Sequence, residues 1–238
     1  MKIQVYAHAD AVALAAAKLI AKEARDAFAT RGKFVMAVSG GKTPWVMLRD
    51  LAQEYVPWKG VHVVQVDERV APERDPDRNL THLLESLLEH APLRPDQIHA
   101  MPVESGNLEA ACAQYTQILR TVAGSPPVLD LVHLGLGPDG HTASLVPGDP
   151  VLDVKDAEVA LTGIYQNRRR MTLTYPIINR SRRVLWLAIG AEKAGMLAAL
   201  QAGDVSIPAG RVSRDRTVVL ADRAAAGQVV KETKTEVA

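Results

Sequence analysis

The sequence predicts an α/β fold in which a mostly parallel sheet is covered by helices on both faces. Three observations carry this. Apolar runs of strand length recur along the chain, helix-length segments separate them, and several of the runs empty into glycine-rich turns. Strands that read as continuous apolar stretches are buried on both faces, as parallel strands joined by helical crossovers must be. With 238 residues, 47% of them hydrophobic and 23% charged, the chain can bury a full core. No repeat, low-complexity linker or composition break divides it, so residues 1–238 are expected to form one domain.

Residues 3–6 are the first strand, and residues 10–28 set Ala, Leu and Ile at three- and four-residue spacing with Lys and Arg between them, an amphipathic helix. Residues 34–38 are the second strand. Residues 44–54 read as a helix with Pro44 in its first turn, where the missing N–H is not needed. A third strand at 61–66 is followed by a helix at 79–90, an extended segment at 98–101, a helix at 107–122 and a strand at 131–136. Residues 159–162 and 171–174 look extended, 184–189 form another apolar strand, and 191–202 are helical. A strand at 217–220 closes the series before a final Ala-rich helix, and the polar tail from Lys231 is expected to fray.

A formal net charge of +1 gives no bulk electrostatic reason to expect nucleic acid or an anionic membrane as partner. Cys112, the one cysteine, falls in a helical pattern and reads as a buried, inert thiol in a reducing compartment. The N-terminus lacks a basic segment followed by an apolar run, and no stretch approaches about 18 uninterrupted apolar residues. A cytoplasmic protein is therefore expected.

In such folds ligands sit beyond the carboxyl ends of the strands. After the second strand comes Ser39-Gly40-Gly41-Lys42-Thr43-Pro44, opening into a helix. Two glycines let backbone amides approach a ligand, Ser39 and Thr43 add hydroxyls, and a helix start adds free N–H groups, together a seat for phosphate or an oxyanion. The bland alternative is a glycine turn with a Thr N-cap. After the third strand comes Asp67-Glu68-Arg69, and then a loop to Asn79; these charges must be solvated, paired or facing a ligand, and a surface ion pair is the simplest case. After the fifth apolar strand run the turn Gly135-Leu136-Gly137-Pro138-Asp139-Gly140-His141 carries a carboxylate two residues from an imidazole, the pairing of a general base with the group that orients it. His133, inside that strand, reads as a packing residue without a role. Arg168-Arg169-Arg170 and Lys193, in the first turn of a helix where the macrodipole disfavours a cation, point to a bound anion.

Taken in order, Ser39-Gly40-Gly41-x-Thr43-Pro44, Asp67-Glu68-Arg69, Gly135-x-Gly137-x-Asp139-Gly140-His141-Thr142-Ala143-Ser144-Leu145-x-Pro147-Gly148, Arg170-Met171-Thr172-Leu173-Thr174 and Gly190-Ala191-Glu192-Lys193-Ala194 resemble the 6-phosphogluconolactonase family. The likeness extends to Pro208-Ala209-x-Arg211-Val212 and Asp222. It implies a three-layer α/β/α sandwich with a Rossmann-like sheet, related to the glucosamine-6-phosphate deaminases and ribose-5-phosphate isomerases. It also implies hydrolysis of 6-phosphoglucono-δ-lactone, the second step of the oxidative pentose phosphate pathway. The substrate is then a phosphosugar lactone, with functional coupling to glucose-6-phosphate dehydrogenase and 6-phosphogluconate dehydrogenase through shared metabolites. On this reading His141 is the general base, Asp139 orients it, and the amides of Gly40 and Gly41 with Arg69 stabilise the oxyanion. Arg170, Lys193 and Arg211 hold the phosphate, and Asp67 and Asn79 meet sugar hydroxyls. No cofactor is needed, and the sequence offers no His-x-x-His or cysteine cluster for a metal. Lys42, Trp45 and Val146 depart from the pattern. An amino-sugar-phosphate deaminase of the same scaffold would carry Glu where Val146 stands, and a sugar-phosphate sensor would carry an attached helix-turn-helix, so both rank below the lactonase.

Overall fold

The carboxyl ends of five long buried strands all point the same way, because every pairing in the main sheet is parallel. The computed structural model describes residues 1–228 and 234–236. In chain order the main sheet contains β1 (Lys2–Tyr6), β2 (Phe34–Val38), β3 (Val61–Gln65), β5 (Ile98–His99), β6 (Leu131–Gly135), β9 (Val184–Ala188), β10 (Thr217–Asp222) and β11 (Lys234–Glu236), arranged as β11-β1-β10-β9-β6-β2-β3-β5. Strand residues alternate between two apolar layers. Phe34, Met36, Leu185, Leu187, Val218 and Leu220 face one; Val35, Ala37, Val184, Trp186, Val219 and Ala221 face the other. The first layer is closed by α1 (Ala9–Arg31) and α2 (Lys42–Ala52). The second is closed by α4 (Leu108–Ala123), α5 (Tyr175–Arg180) and α6 (Ala194–Ala202). This is the expected three-layer α/β/α sandwich.

Local chemistry explains the elements. The buried face of α1 is a stripe of small residues, Ala13, Ala16, Ala17, Ala21 and Ala24 around Val12 and Ile20, which lets the helix lie close on the sheet. It starts with the His8 side chain accepting from the Ala11 amide at 3.3 Å, and ends at Gly32, whose φ of 71° is left-handed. Asn107 caps α4 through the Ala110 amide at 2.9 Å. Cys112 sits on the buried face of that helix, and burial pushes its thiol up to about 11, in keeping with the inert role expected. No helix among the described residues is long and apolar enough to cross a membrane.

Some elements depart from the sequence reading. The extended segments at β7 (Val159–Leu161) and β8 (Arg170–Leu173) are not part of the parallel sheet. They pair antiparallel with each other and with β4 (Asp67–Arg69) in a separate sheet ordered β4-β8-β7. β4 is three charged residues, so no apolar run announces it. The helix expected over 79–90 is α3 (Asn79–Leu83) running into a π-turn at Leu84–Leu88, and α5 was unforeseen. The final Ala-rich helix is a short 3-10 turn, Ala225–Gln228. Lys231 lies outside the described residues, but Lys234–Glu236 pairs with β1 rather than fraying.

The junction between the two sheets is fixed by one side chain. Glu68 is fully buried, not part of a surface ion pair as supposed. Its Oε1 accepts from the amides of Arg69 and Asn79, and its Oε2 accepts from the Leu80 amide and Gln65 Nε2, each at 2.8 Å, with Arg78 Nε 3.5 Å away. Gln65 in turn accepts from the Met101 amide at 2.8 Å. Glu68→Ala leaves the buried Arg78 short of a counter-charge and three amides without an acceptor. It should cost about 3–5 kcal/mol in urea unfolding; a loss below about 1 kcal/mol would contradict this account.

His133 gives a second, pH-dependent expectation. It is fully buried, and that burial depresses its pKa to about 4. Between the ordinary value of 6.5 and about 4, the unfolded chain binds a proton that the native state refuses. Stability is therefore complete above that window and falls through it on acidification, by up to about 3 kcal/mol. His62 and His99 are also lowered by burial and act in the same direction. Their effect cancels when the wild type is compared with His133→Gln, whose stability curve between pH 7 and 4 should be flatter by that amount. Parallel curves would remove His133 as the source.

Candidate active site

A cleft of about 300 Å³ opens where β2, β6 and β9 end, and almost every residue singled out from the sequence lines it. The glycine loop forms one wall. Ser39 donates from its hydroxyl to the His133 carbonyl at 2.9 Å and from its amide to His133 Nδ1 at 3.3 Å, which ties β2 to β6 at the base of the cleft. Gly41, with φ of 127°, is the N-cap of α2, so Thr43 lies inside the helix and does not cap it. Gly40 is required for a different reason: a Cβ there would lie 2.0 Å from Asn79 Oδ1. Among the described residues nothing accepts from the Gly40 or Gly41 amides. Trp45, one of the departures from the family pattern, stacks on His82 with ring centroids 4.0 Å apart.

The loop after β6 forms the opposite wall. Gly137 donates to the His141 carbonyl at 2.8 Å and Gly140 to the Gly137 carbonyl at 3.1 Å, closing a tight turn. The imidazole of His141 lies directly on Gly137, where a Cβ would fall 2.2 Å from Nδ1. The Asp139 carboxylate meets His141 Nδ1 at 2.5 Å and also accepts from the His141 amide at 3.2 Å. Two-residue spacing alone does not guarantee that contact; the turn makes it. Burial works against the Asp139 charge, but the hydrogen bonds from His141 outweigh it and hold the carboxyl below the usual range. With Asp139 ionised, Nδ1 carries the proton and Nε2 keeps its lone pair.

The floor is set by the small sheet. Asp67 accepts from Ser144 Oγ at 2.6 Å and from Asn79 Nδ2 at 3.3 Å, while Asn79 Nδ2 also reaches the Asp67 carbonyl at 2.9 Å. One carboxylate thus links β4, α3 and the His141 loop. Beside it, Arg69 and Arg170 stand directly opposite each other in the β4–β8 register. Like charges in that position repel. Arg170 is only 4% exposed, neither guanidinium has a carboxylate within ion-pair distance among the described residues, and both Nε atoms are buried without a partner. Arg69 does donate to the Asp77 carbonyl, and Arg170 to Gln166 Oε1 at 2.9 Å. Burial lowers the pKa of Arg170. Lys193, the last residue of a 3-10 turn before α6, also lines the cleft; its amide donates to the Gly190 carbonyl at 3.0 Å, while its side-chain ammonium has no hydrogen bond or ion pair among the described residues.

The cleft therefore gathers Ser39, Gly40, Gly41, Thr43, Asp67, Asn79, Arg69, His141, Arg170 and Lys193, with Asp139 bonded behind His141. Arg211 is not among the lining residues: its Nε donates to the Val205 carbonyl at 3.2 Å, and Asp153 lies 3.9 Å from its Nη1. Of the three consecutive arginines only Arg170 reaches the cleft, since Arg168 is held by Asp75 and Asp77 at 3.0 and 3.1 Å and Arg169 faces Glu109 at 3.9 Å. Three further residues matter that had no assigned part. Ser144 binds Asp67, Tyr165 donates to Asp139 Oδ2 at 3.2 Å, and His133, read as packing alone, lines the cleft. Ser144 was visible as part of the histidine motif; Tyr165 sits in a hairpin that carries no signal of its own. Among the described residues, no three His, Cys, Asp or Glu side chains gather to hold a metal ion.

Residues 7–220 match the family model described as glucosamine-6-phosphate isomerases/6-phosphogluconolactonase. A 6-phosphogluconolactonase of Streptomyces coelicolor is 38% identical over 235 residues, 90% of this chain and 89% of that protein. One from Mycobacterium tuberculosis is 37% identical over 241 residues, 95% of this chain and 98% of that protein. The crystal structure of 6-phosphogluconolactonase from Thermotoga maritima superposes with a TM-score of 0.83 at 27% identity, covering 93% of this chain and 99% of the other. A monomeric glucosamine-6-phosphate deaminase shares the fold, with a TM-score of 0.82 at 21% identity over 96% of this chain and 100% of that one. The chain belongs to the glucosamine-6-phosphate isomerase/6-phosphogluconolactonase family, on its 6-phosphogluconolactonase branch.

Proposed function

We propose that this protein hydrolyses 6-phospho-D-glucono-1,5-lactone to 6-phospho-D-gluconate, the second step of the oxidative pentose phosphate pathway, with His141 as general base. One observation carries the mechanism: the imidazole that lines the cleft has its Nδ1 committed to Asp139 at 2.5 Å, so Nε2 is the nitrogen left to handle a proton. Water attacks the lactone carbonyl as Nε2 takes its proton. The tetrahedral oxyanion is met by the unengaged amides of Gly40 and Gly41, a contribution on the order of 3 kcal/mol per donor. The bond from that carbon to the ring oxygen then breaks, and the imidazolium returns the proton to the departing oxygen, which becomes a hydroxyl. Asp139 stabilises the imidazolium while it exists.

The charge pattern supports a phosphorylated substrate. A buried Arg170 opposed to a half-buried Arg69, neither with a carboxylate within ion-pair distance among the described residues, is costly unless an anion neutralises them, and the Lys193 ammonium adds a third cation without a partner among those residues. Arg69, expected at the oxyanion, is better matched to this cluster, because it faces Arg170 across the register. Binding energy at the phosphate orients the reactive end of the sugar. Asp67 and Asn79 remain at the cleft wall for sugar hydroxyls. The deaminase alternative is disfavoured by Val146, buried where that reaction would need a carboxylate. The lone buried thiol of Cys112 fits a cytoplasmic site of action, coupled by shared metabolites to glucose-6-phosphate dehydrogenase and 6-phosphogluconate dehydrogenase.

The lactone also hydrolyses unaided, so activity is read above a blank with lactone made in situ by glucose-6-phosphate dehydrogenase. His141→Ala should lose at least ~100-fold in kcat while still binding 6-phosphogluconate. A fully active variant would remove His141 from the mechanism. Lys193→Ala should raise KM about tenfold with little change in kcat. Unchanged kinetic constants would reject its assignment to the phosphate.

A further inference from the structure

Asp139 has two carboxylate oxygens, and the proposed mechanism uses only one. The other, Oδ2, accepts from the phenol of Tyr165 at 3.2 Å. Tyr165 enters from a different element, the hairpin that joins β7 to β8. Its backbone pairs with Arg168 on both sides of a two-residue tip, Gln166 and Asn167, which hold φ of 50° and 64°. Both central residues are left-handed, as in a type I′ turn, a conformation that non-glycine residues adopt at a cost. The hairpin is fastened to the loop after β4 by Arg168, whose guanidinium binds Asp75 and Asp77.

The same tyrosine touches the cation cluster. The guanidinium carbon of Arg170 lies 4.9 Å from the centre of the Tyr165 ring, a cation–π distance. Arg170 also donates to Gln166 Oε1 on the hairpin tip. The ring meets His141 edge to face, with centroids 5.6 Å apart. A single side chain therefore contacts the base, the carboxylate that orients the base and the arginine assigned to the anion.

We infer that Tyr165 is a positioning residue that locks the Asp139–His141 pair and links its geometry to the seating of Arg170 on the substrate phosphate. The inference rests on the lactonase reading above and deepens it. With Oδ2 held by the phenol and Oδ1 by the imidazole, the carboxylate has a single orientation, so Nε2 of His141 stays aimed. The phenol also draws charge from Asp139 and so moderates its pull on the imidazolium. The other charged or titratable groups around this pair are Arg170 on β8, Arg69 and Asp67 on β4, Lys42 at the start of α2, His133 on β6 and Lys193 before α6. Tyr165→Phe changes none of them.

Tyr165→Phe keeps the ring under Arg170 and removes only the hydroxyl. It should lower kcat about threefold to tenfold with KM within about twofold and an unchanged melting temperature. With Asp139 relieved of one donor, imidazolium is favoured, and the acid limb of kcat/KM should move upward by about 0.3–0.5 pH unit. Tyr165→Ala, which also removes the platform beneath Arg170, should add a rise in KM of about fivefold. A Tyr165→Phe enzyme with wild-type kcat and an unmoved acid limb overturns the inference, as does a kcat loss that comes with no shift of that limb. His141→Ala is run in the same assay. If it is inactive while Tyr165→Phe behaves as wild type, the lactonase reading stands and only the role of Tyr165 falls; if His141→Ala is active, the reading itself fails.

Discussion

The buried carboxylate of Glu68 is the constraint on which the rest of the site depends. A charge with no exposure is tolerable only when hydrogen bonds replace its hydration, and Glu68 accepts four at 2.8 Å. Two of the donors are the first amides of α3 and one is the amide of Arg69, so the carboxylate fixes where β4 ends and α3 begins. Its neighbours in sequence, Asp67 and Arg69, are thereby turned the other way, toward the cleft. Asn79 is placed by the same contact, and it is the residue that packs on Gly40 and reaches back to Asp67. Asp67 then holds Ser144 in the His141 loop. Three loops far apart in sequence are joined through one side chain that never touches the cleft.

Glycine does a second, steric part of the work. At Gly40 and Gly137 the issue is the space a Cβ would occupy, since each would fall within 2.2 Å of a functional side-chain atom, Asn79 Oδ1 or His141 Nδ1. The backbone turn and the side chain share one volume, which brings the Gly40 amide and the His141 ring to opposite walls of a cleft only about 300 Å³ in size. Small residues at these points are what make a compact two-walled site possible.

How much of this was legible in the sequence follows from the kind of physics involved. Continuous apolar runs announced β2, β3, β6 and β9 almost to the residue, because burial on both faces leaves a hydropathy signal. The motifs after those strands gave the cleft residues, since a parallel sheet must present them at one edge. What stayed hidden was long-range or polar. β4 is Asp67-Glu68-Arg69, whose strand character comes from pairing with β8 and not from hydropathy. The arginine triplet could not say which member faces inward until its strand register was known, and Arg211 lies close to the matching motif but is held on Val205 and Asp153. Tyr165 belongs to a hairpin whose placement depends on Arg168 reaching acids about ninety residues away.

The pairing of charges separates scaffold from site. Wherever the structure is only structure, buried charge is matched: Glu68 with Arg78 and amides, and Asp130 with Arg31 and Arg182. In the cleft the acids are matched too, Asp67 by Ser144 and Asn79, Asp139 by His141 and Tyr165. The cations differ: Arg69 and Arg170 have only neutral partners, the Asp77 carbonyl, Gln166 and the Tyr165 ring, with no carboxylate within ion-pair distance among the described residues. Arg69 and Arg170 are opposed on neighbouring strands, and the Lys193 ammonium has no partner among the described residues. Arrangements that a fold would avoid on stability grounds persist where function requires them, and a group that balances these cations carries negative charge. An anion beside an imidazole poised by its own carboxylate asks for a substrate with charge at one end and an electrophile at the other. A phosphorylated lactone satisfies both demands, and the unmatched cations are the feature of this chain that a purely structural reading leaves without a cause.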